Sequence, residues 1–326
     1  MVEYIRKSLV WRIPVMTFER PQIIRPPSEA SSYFLPLTSG CSNNTCTFCN
    51  YYYGSKLQMR ELDDVKREID ALALYIGSQL RLPSVPDIVY IIASQWDGKR
   101  IFLQDADALV YPLPRLIGAL EYINQKLPFV ERIATYATAQ DILRRSPAEL
   151  ANLKRLKLDI MYIGLESGDD EVLKAIHKGV NSKQLIEAVR RAKDAGIQTS
   201  VTVILGLGGG AGSEKHALET ARVLSLMDPD YVGALTLTLV PGAPLYHSWQ
   251  KGDFVPVSAL QSLEELLKMI DNSKFTNCYF SSMHASNYFS VRGTLSREKK
   301  RMVSELKHVI DKGDSAHLRP EYLRGL

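Results

Sequence analysis

Short apolar runs alternate along this chain with longer stretches in which apolar residues recur every three or four positions. The first run, Tyr33 to Thr38, reads as a strand. Leu62, Val65, Ile69, Leu72 and Ile76 then form one buried stripe within a helix over Arg60 to Leu80. Pro83 and Pro86 break the chain, Val89 to Ala93 is a short apolar run, and Asp97-Gly98 marks a turn. Further strands are predicted at Arg100 to Gln104, Arg132 to Tyr136, Leu158 to Leu165, Thr199 to Leu205 and Tyr231 to Leu239. Helical patterns lie between them at Leu113 to Lys126, Pro147 to Arg155 and Ser182 to Ala195, the last closed by Gly196. Asp169, Asp170 and Glu171 fall in the first turn of another helix, with Gly179 after its last. A glycine-rich turn follows Leu205, and Ser213 is placed to cap the helix after it.

Strands separated by helices of this length imply parallel βαβ units, and six of them make an open or partial (β/α)6 TIM-like barrel, an α/β fold. Active sites in such barrels lie at the C-terminal ends of the strands. Residues 1–32 are punctuated by Pro14, Pro21, Pro26 and Pro27 and read as an extended lead-in. The barrel takes 33–250. Residues 251–326 form a C-terminal α-helical extension, with Leu260, Leu263, Leu267 and Ile270 on one amphipathic helix and Met302, Leu306 and Val309 on another.

The chain has 326 residues, enough for one large α/β domain, which commonly takes roughly 200–250 residues. No apolar stretch approaches the length of a membrane span, and the first residues, MVEYIRKSLVWRIP, lack the pattern of a signal peptide. The net charge of +4 permits an anionic partner without demanding one.

Three of the four cysteines, Cys41, Cys46 and Cys49, fall in GCSNNTCTFCN just after the first strand. The spacing fits no disulfide framework, and thiols that persist free point to a reducing cytoplasm. Three thiolates on a [4Fe–4S] cluster leave one iron open to a small molecule. A structural zinc site needs a fourth ligand, for which Cys278 and His284 are the available donors, more than two hundred positions away. Buried thiols without a ligand are the third reading.

The triplet, with Phe48 directly before Cys49, resembles the signature of radical S-adenosylmethionine (SAM) enzymes, although four residues rather than the usual three separate Cys41 and Cys46. YIGLESGDDEVLKAIHKG (162–179) is similar to the fourth strand and following helix of the subgroup holding oxygen-independent coproporphyrinogen oxidase, elongator-type enzymes and methylthiotransferases. TLTLVPGAPLY (236–246) resembles that subgroup's sixth strand and exit loop.

The resemblance implies a radical SAM partial barrel whose cofactors are a [4Fe–4S] cluster held by Cys41, Cys46 and Cys49 and SAM on its open iron. One electron from the cluster cleaves SAM, and the 5′-deoxyadenosyl radical abstracts hydrogen from a small-molecule substrate. The same resemblance places the methionine ammonium at Asp105 or Asp107, around Ala106. It gives polar SAM contacts to Tyr136 or Thr138 and to Glu166, the methionine carboxylate to Lys178, and the adenine to Thr202, Ile204 and Gly206. It calls for an electron donor such as flavodoxin or ferredoxin and for no membrane. Methylthiotransferases need a second cysteine triplet, auxiliary-cluster enzymes need more cysteines, and cobalamin-dependent members carry a domain that the residues before Cys41 do not supply. A single-cluster enzyme is what remains.

Rival signals stand beside this. Gly206, Gly208 and Ala211 match a dinucleotide-binding spacing, but in the fifth strand of a series rather than the first. Basic pI, near 8.7, and Arg297, Lys299, Lys300 and Arg301 leave nucleic acid open, as an RNA-modifying enzyme, without favouring it. A zinc-stabilised binding module is the non-enzymatic alternative. Cys278, His284, Asn287 and Tyr288, dense within 276–289, are read either as substrate contacts in a lid over the barrel mouth or as ordinary strand and turn residues.

Overall fold

A computed structural model describes residues 18–313 and 318–325; residues 1–17, and with them the signal-peptide expectation and part of the lead-in, lie outside the described residues. The elements run β1 (Tyr33–Pro36), β2 (Thr38–Ser39), β3 (Gln58–Met59), α1 (Leu62–Ser78), α2 (Asp87–Ser94), β4 (Arg100–Gln104), α3 (Leu113–Lys126) and β5 (Arg132–Tyr136). There follow α4 (Ala139–Leu143), α5 (Pro147–Arg155), β6 (Leu158–Glu166), α6 (Asp170–Ala175), α7 (Ser182–Asp194), β7 (Gln198–Leu205), α8 (Gly209–Met227) and β8 (Tyr231–Thr236). The chain ends with α9 (Pro244–Gln250), α10 (Ala259–Asn272), β9 (Tyr279–Ser281), β10 (Arg292–Thr294) and α11 (Leu295–Lys312).

Strands β1, β4, β5, β6, β7 and β8 lie side by side in that order and all parallel. These are the six expected strands. Two short ones extend them within the predicted helical extension: β9 adds parallel to β8, and β10 closes the edge antiparallel to β9. The sheet stays open, with β1 and β10 at its edges. Helices cover one face, α1 beside α3, α7 beside α8, and α8, α10 and α11 in succession. Among the described residues no helix is long and apolar enough to cross a membrane.

Pairing register separates the two faces. Tyr33 donates to Glu68 of α1 at 2.7 Å, so it faces the helices, and Phe34 points the other way. Through the ladder, Phe102, Tyr136, Tyr162, Thr202 and Ile204 share Phe34's face. This concave face is the lumen. Its floor is residues 27–32, where buried Glu29 accepts from Tyr162 at 2.6 Å and pairs with Arg132.

The apolar run Val89 to Ala93, given no element from the sequence, lies in the helix α2. Two local expectations are corrected. Ser213 is not a helix cap, because α8 already begins at Gly209 and Ser213 lies inside it. Helix α6 ends at Ala175, so Lys178 and Gly179 occupy the connection to α7 rather than the helix terminus.

Candidate active site at the mouth of the half-barrel

The small ladder of β2 and β3, pairing Thr38 with Met59 and Ser39 with Gln58, frames the cysteine segment as a loop at the C-terminal end of β1. Beside its local turns, the loop is braced from distant parts of the chain. Asn43 donates to the Lys178 carbonyl at 2.8 Å, the Thr47 amide to Ile176 at 3.0 Å, and Asn50 to the Pro241 carbonyl at 2.7 Å. The Leu245 amide, entering α9, donates back to Thr47 at 2.8 Å. Phe48 packs against the core and anchors the loop from below.

Cys41, Cys46 and Cys49 are free and part-exposed. Burial raises the proton affinity of all three thiols, that of Cys41 to about 11; Cys46 and Cys49 add to it at Cys41, and Cys49 at Cys46. Asp107 adds to the effect at Cys41 and Glu166 at the other two, while Lys178 opposes it. Three thiols on one loop that resist becoming anions by themselves are suited to do so on a cationic iron centre.

Beside them, Lys178 Nζ pairs with Glu166 Oε1 at 2.9 Å. Burial works against the lysine's charge, but Glu166 and the thiols hold its proton affinity above the ordinary value. Glu166 leaves β6 with a positive φ of 63°, which turns its side chain back over the strand. A Cβ on Gly164 would lie 2.0 Å from Glu166 Oε1 and 2.9 Å from Lys178 Nζ. Glycine in GLES thus makes the cradle in which the pair rests.

The Asp105 carboxylate accepts from the Gly40 amide at 3.0 Å and from Tyr52 at 2.6 Å, and Ser42 donates to Asp107. Both carboxylates therefore brace the cysteine loop. Asp107, fully buried, is pushed up to about 8 by burial and then by Asp141. Ala106 lies between them. Tyr136 stands in an aromatic group with Phe102 and Tyr162, ring centroids 5.1 and 6.0 Å away. Thr138 caps α4, accepting from the Asp141 amide.

Gln104, not singled out from the sequence, ends β4 on the lumen side, wholly buried, and neither polar atom of its amide has a hydrogen-bond partner among the described residues. Its only sequence signal was a polar residue closing an apolar strand. A buried, unmatched amide beside the cysteine loop fits a bound polar ligand.

Thr202 and Ile204 line the lumen end of β7. Gly206, at a φ of 83°, begins the turn beyond it, and a Cβ there would meet Val257 at 2.7 Å. The Gly206 amide donates to Glu265 of α10 at 2.6 Å, and His216 of α8 bridges Ser167 at 2.8 Å and the Ile204 carbonyl at 3.1 Å. Sequence reading missed Glu265 and His216. The glycine run does not form an open phosphate cradle: Gly210 donates to the Val255 carbonyl at 2.8 Å, and Phe254 packs on Gly209.

The residues of 276–289 divide. Cys278 is fully buried, and the neighbouring Tyr279 amide donates to Asp230 at the start of β8, the end of the strands opposite the thiols. Asn287 is consumed by Thr236 at 2.8 Å and by the Ala234 and Ser282 carbonyls. His284 bonds to Ser286, and Tyr288 to Glu321 and Arg324. Neither Cys278 nor His284 is brought to the triplet to complete a zinc tetrahedron. Among the described residues, no three histidine, cysteine or acidic side chains are arranged around a single ion. By register Tyr279, 39% exposed beside buried Cys278 and Phe280, points to the lumen side of the sheet at the strand end away from the thiols.

A parallel half-barrel that gathers thiols at its mouth is the framework of enzymes that set an iron–sulfur cluster against a nucleotide. The Radical SAM superfamily profile matches residues 35–221, and the chain belongs to that superfamily; it is an enzyme whose cofactors are a [4Fe–4S] cluster and SAM. A putative methylthiotransferase of Methanocaldococcus jannaschii is 22% identical over 54% of this chain and 36% of that protein. A tRNA-2-methylthio-N(6)-dimethylallyladenosine synthase of Vibrio campbellii is 25% identical over 74% of this chain and 49% of its own length. The chain thus spans half or less of these relatives. Coproporphyrinogen III oxidase of Escherichia coli shares the fold at a TM-score of 0.50 and 14% identity, over 74% of this chain and 51% of that one. The methyltransferase TsrM of Kitasatospora setae does so at 0.51 and 16%, over 72% and 43%. Membership displaces both the zinc-module and the dinucleotide readings.

Proposed function

We propose that this chain is a one-cluster enzyme that abstracts hydrogen from a small organic substrate held in the half-barrel lumen. The observation that carries the reading is the placement of Cys41, Cys46 and Cys49 on one loop at the lumen mouth, beside the Glu166–Lys178 pair, with the unmatched Gln104 amide on the adjoining lumen wall. When bound, the cluster and SAM supply a 5′-deoxyadenosyl radical by one-electron cleavage of the sulfonium C–S bond. Cys41, Cys46 and Cys49 hold the iron. Lys178, Glu166 and Gln104 offer a cation, an anion and an amide to the amino-acid end of SAM, and Thr202, Ile204 and the Gly206 turn offer a partly apolar ledge to its base. Asp105 and Asp107 act by holding the loop.

In this reading residues 33–250 are the catalytic barrel and 251–326 its closing extension. Arg324 fits that role, donating to the Leu237 carbonyl at 2.9 Å and to Ser286 at 2.6 Å, which ties the last described residues across the exit of β8. Water exclusion there protects a radical from quenching. The enzyme works in a reducing cytoplasm with an electron donor of the flavodoxin or ferredoxin kind.

A second reading, modification of RNA, is favoured by the names of the tRNA-modifying relatives. Anaerobic reconstitution with iron, sulfide, SAM and dithionite tests the first: 5′-deoxyadenosine must form, and deuterium must pass into it from a labelled substrate. Absence of 5′-deoxyadenosine from protein with a full cluster defeats the proposal, whereas deuterium transfer from tRNA alone selects the second reading.

A further inference from the structure

We propose that Arg25 anchors the carboxylate or phosphate of a substrate whose flat apolar body lies against Tyr136 in the lumen. The proposal rests on the reading of the lumen as substrate site and gives that substrate a charge and a shape.

Arg25 is exposed, and its guanidinium carbon lies 5.6 Å from the centre of the Phe34 ring. Phe34 faces the lumen by register, so the cation stands inside the concavity rather than on the outer surface. It is also close enough to Tyr136 to oppose the effect of burial on that phenol. Tyr51, two residues past Cys49, acts on the same phenol. Arg25 and the residues just past Cys49 therefore both act on Tyr136, and a molecule held by Arg25 lies near the cysteine loop.

The charges around Arg25 are already committed, and its own is not. Glu29 is occupied by Arg132, Tyr162 and Ser32. Arg100 is held by Asp97 and the Ser28 carbonyl, and Asp105 by Tyr52 and Gly40. Among the described residues Arg25 has its contact with Phe34 and no carboxylate partner. An uncompensated guanidinium attracts anions that enter the concavity, and its planar fork suits carboxylate and phosphate oxygens. Half-buried Tyr136 supplies the other half of the recognition, a ring face for a flat body, held in place by its edge contacts with buried Phe102 and Tyr162.

Benzoate, phenyl phosphate and neutral phenol are the probes, titrated by calorimetry and ligand-observed NMR into oxidised protein without SAM, so that no cleavage takes place. At least one anion should bind, about tenfold or more tighter than phenol. Arg25→Gln should remove that advantage while leaving phenol unchanged, and Arg25→Lys should restore part of it. Whichever anion binds tighter assigns carboxylate or phosphate. The proposal is overturned if neither anion binds at millimolar concentration, if phenol binds as well as both, or if Arg25→Gln binds the anions like the parent. Competition by S-adenosylhomocysteine for the Arg25-dependent part would assign the cation to the cofactor's carboxylate and also overturn it. Formation of 5′-deoxyadenosine by the unaltered enzyme is scored separately, so failure of the anion site and failure of the radical chemistry are told apart.

Discussion

Glu166 and Lys178 meet across 2.9 Å although a helix and a turn separate them in the chain, and they can do so only because residue 164 has no side chain. The ion pair stands next to two of the thiols and is largely shielded from water. In it the charge, packing and sequence motif of the mouth converge.

Replacing Gly164 by alanine should displace that pair. The added carbon would overlap the Glu166 carboxylate, and the cost in stability is expected at about 1–3 kcal/mol. Chemical denaturation measures it, and SAM affinity should fall in parallel. A Gly164→Ala protein with unchanged stability and unchanged SAM binding would show that the cradle is irrelevant.

Lys178→Met leaves a buried carboxylate without its partner, at a cost on the order of 3 kcal/mol. Adding Glu166→Gln should recover part of the stability but none of the SAM affinity. A double-mutant cycle reads the coupling directly, and additive losses would mean that the two groups do not act as a pair.

Cys46→Ala should bind no complete cluster and form no 5′-deoxyadenosine, yet melt within a few degrees of the parent, because the loop is braced mainly by backbone and amide contacts rather than by sulfur. Iron and sulfide analysis after reconstitution checks it; a full complement of four irons would contradict the ligand set.

Stability should depend on pH through two opposed groups. Burial lowers His216 from its ordinary 6.5 to about 4, so the unfolded chain takes up a proton first, and stability present above pH 6.5 is lost as pH falls toward 4. Burial raises Glu265 from 4.5 to about 7, against the pull of Ser213 and the Gly206 amide. Its stability is present below pH 4.5 and lost as pH rises toward 7. Each amounts to about 3 kcal/mol, and between pH 4.5 and 6.5 they offset one another. His216→Gln should therefore unmask a decline on raising pH from 4.5 to 7, and Glu265→Gln a decline on lowering it from 6.5 to 4. Urea titrations across this range give the result, and profiles of the same slope for both variants would refute the assignment.

Much of this was legible beforehand where period and punctuation agreed. Arg100–Gln104, Arg132–Tyr136 and Leu113–Lys126 appear with the bounds the pattern predicts. Helix α2 escaped because DIVYIIAS is apolar almost throughout and shows no stripe, and α4 because five residues are too few for one. In 276–289 the density of reactive side chains drew attention, but facing is decided by the two-residue alternation, which turns Cys278 and Phe280 to the helices and Tyr279 to the lumen. Glu265 and His216 were missed for a different reason. Each sits on a helix whose pattern explains it as amphipathic, and only the fold brings α8 and α10 onto the exits of β6 and β7.

The braces of the cysteine loop also order events in time. Asn43 and Thr47 lean on residues 176–178, and Asn50 on Pro241. During translation the triplet leaves the ribosome long before any of these supports exists. Iron acquisition thus belongs to the finished polypeptide rather than the nascent one, and expression with scarce iron should accumulate folded, colourless enzyme that can still be charged afterwards.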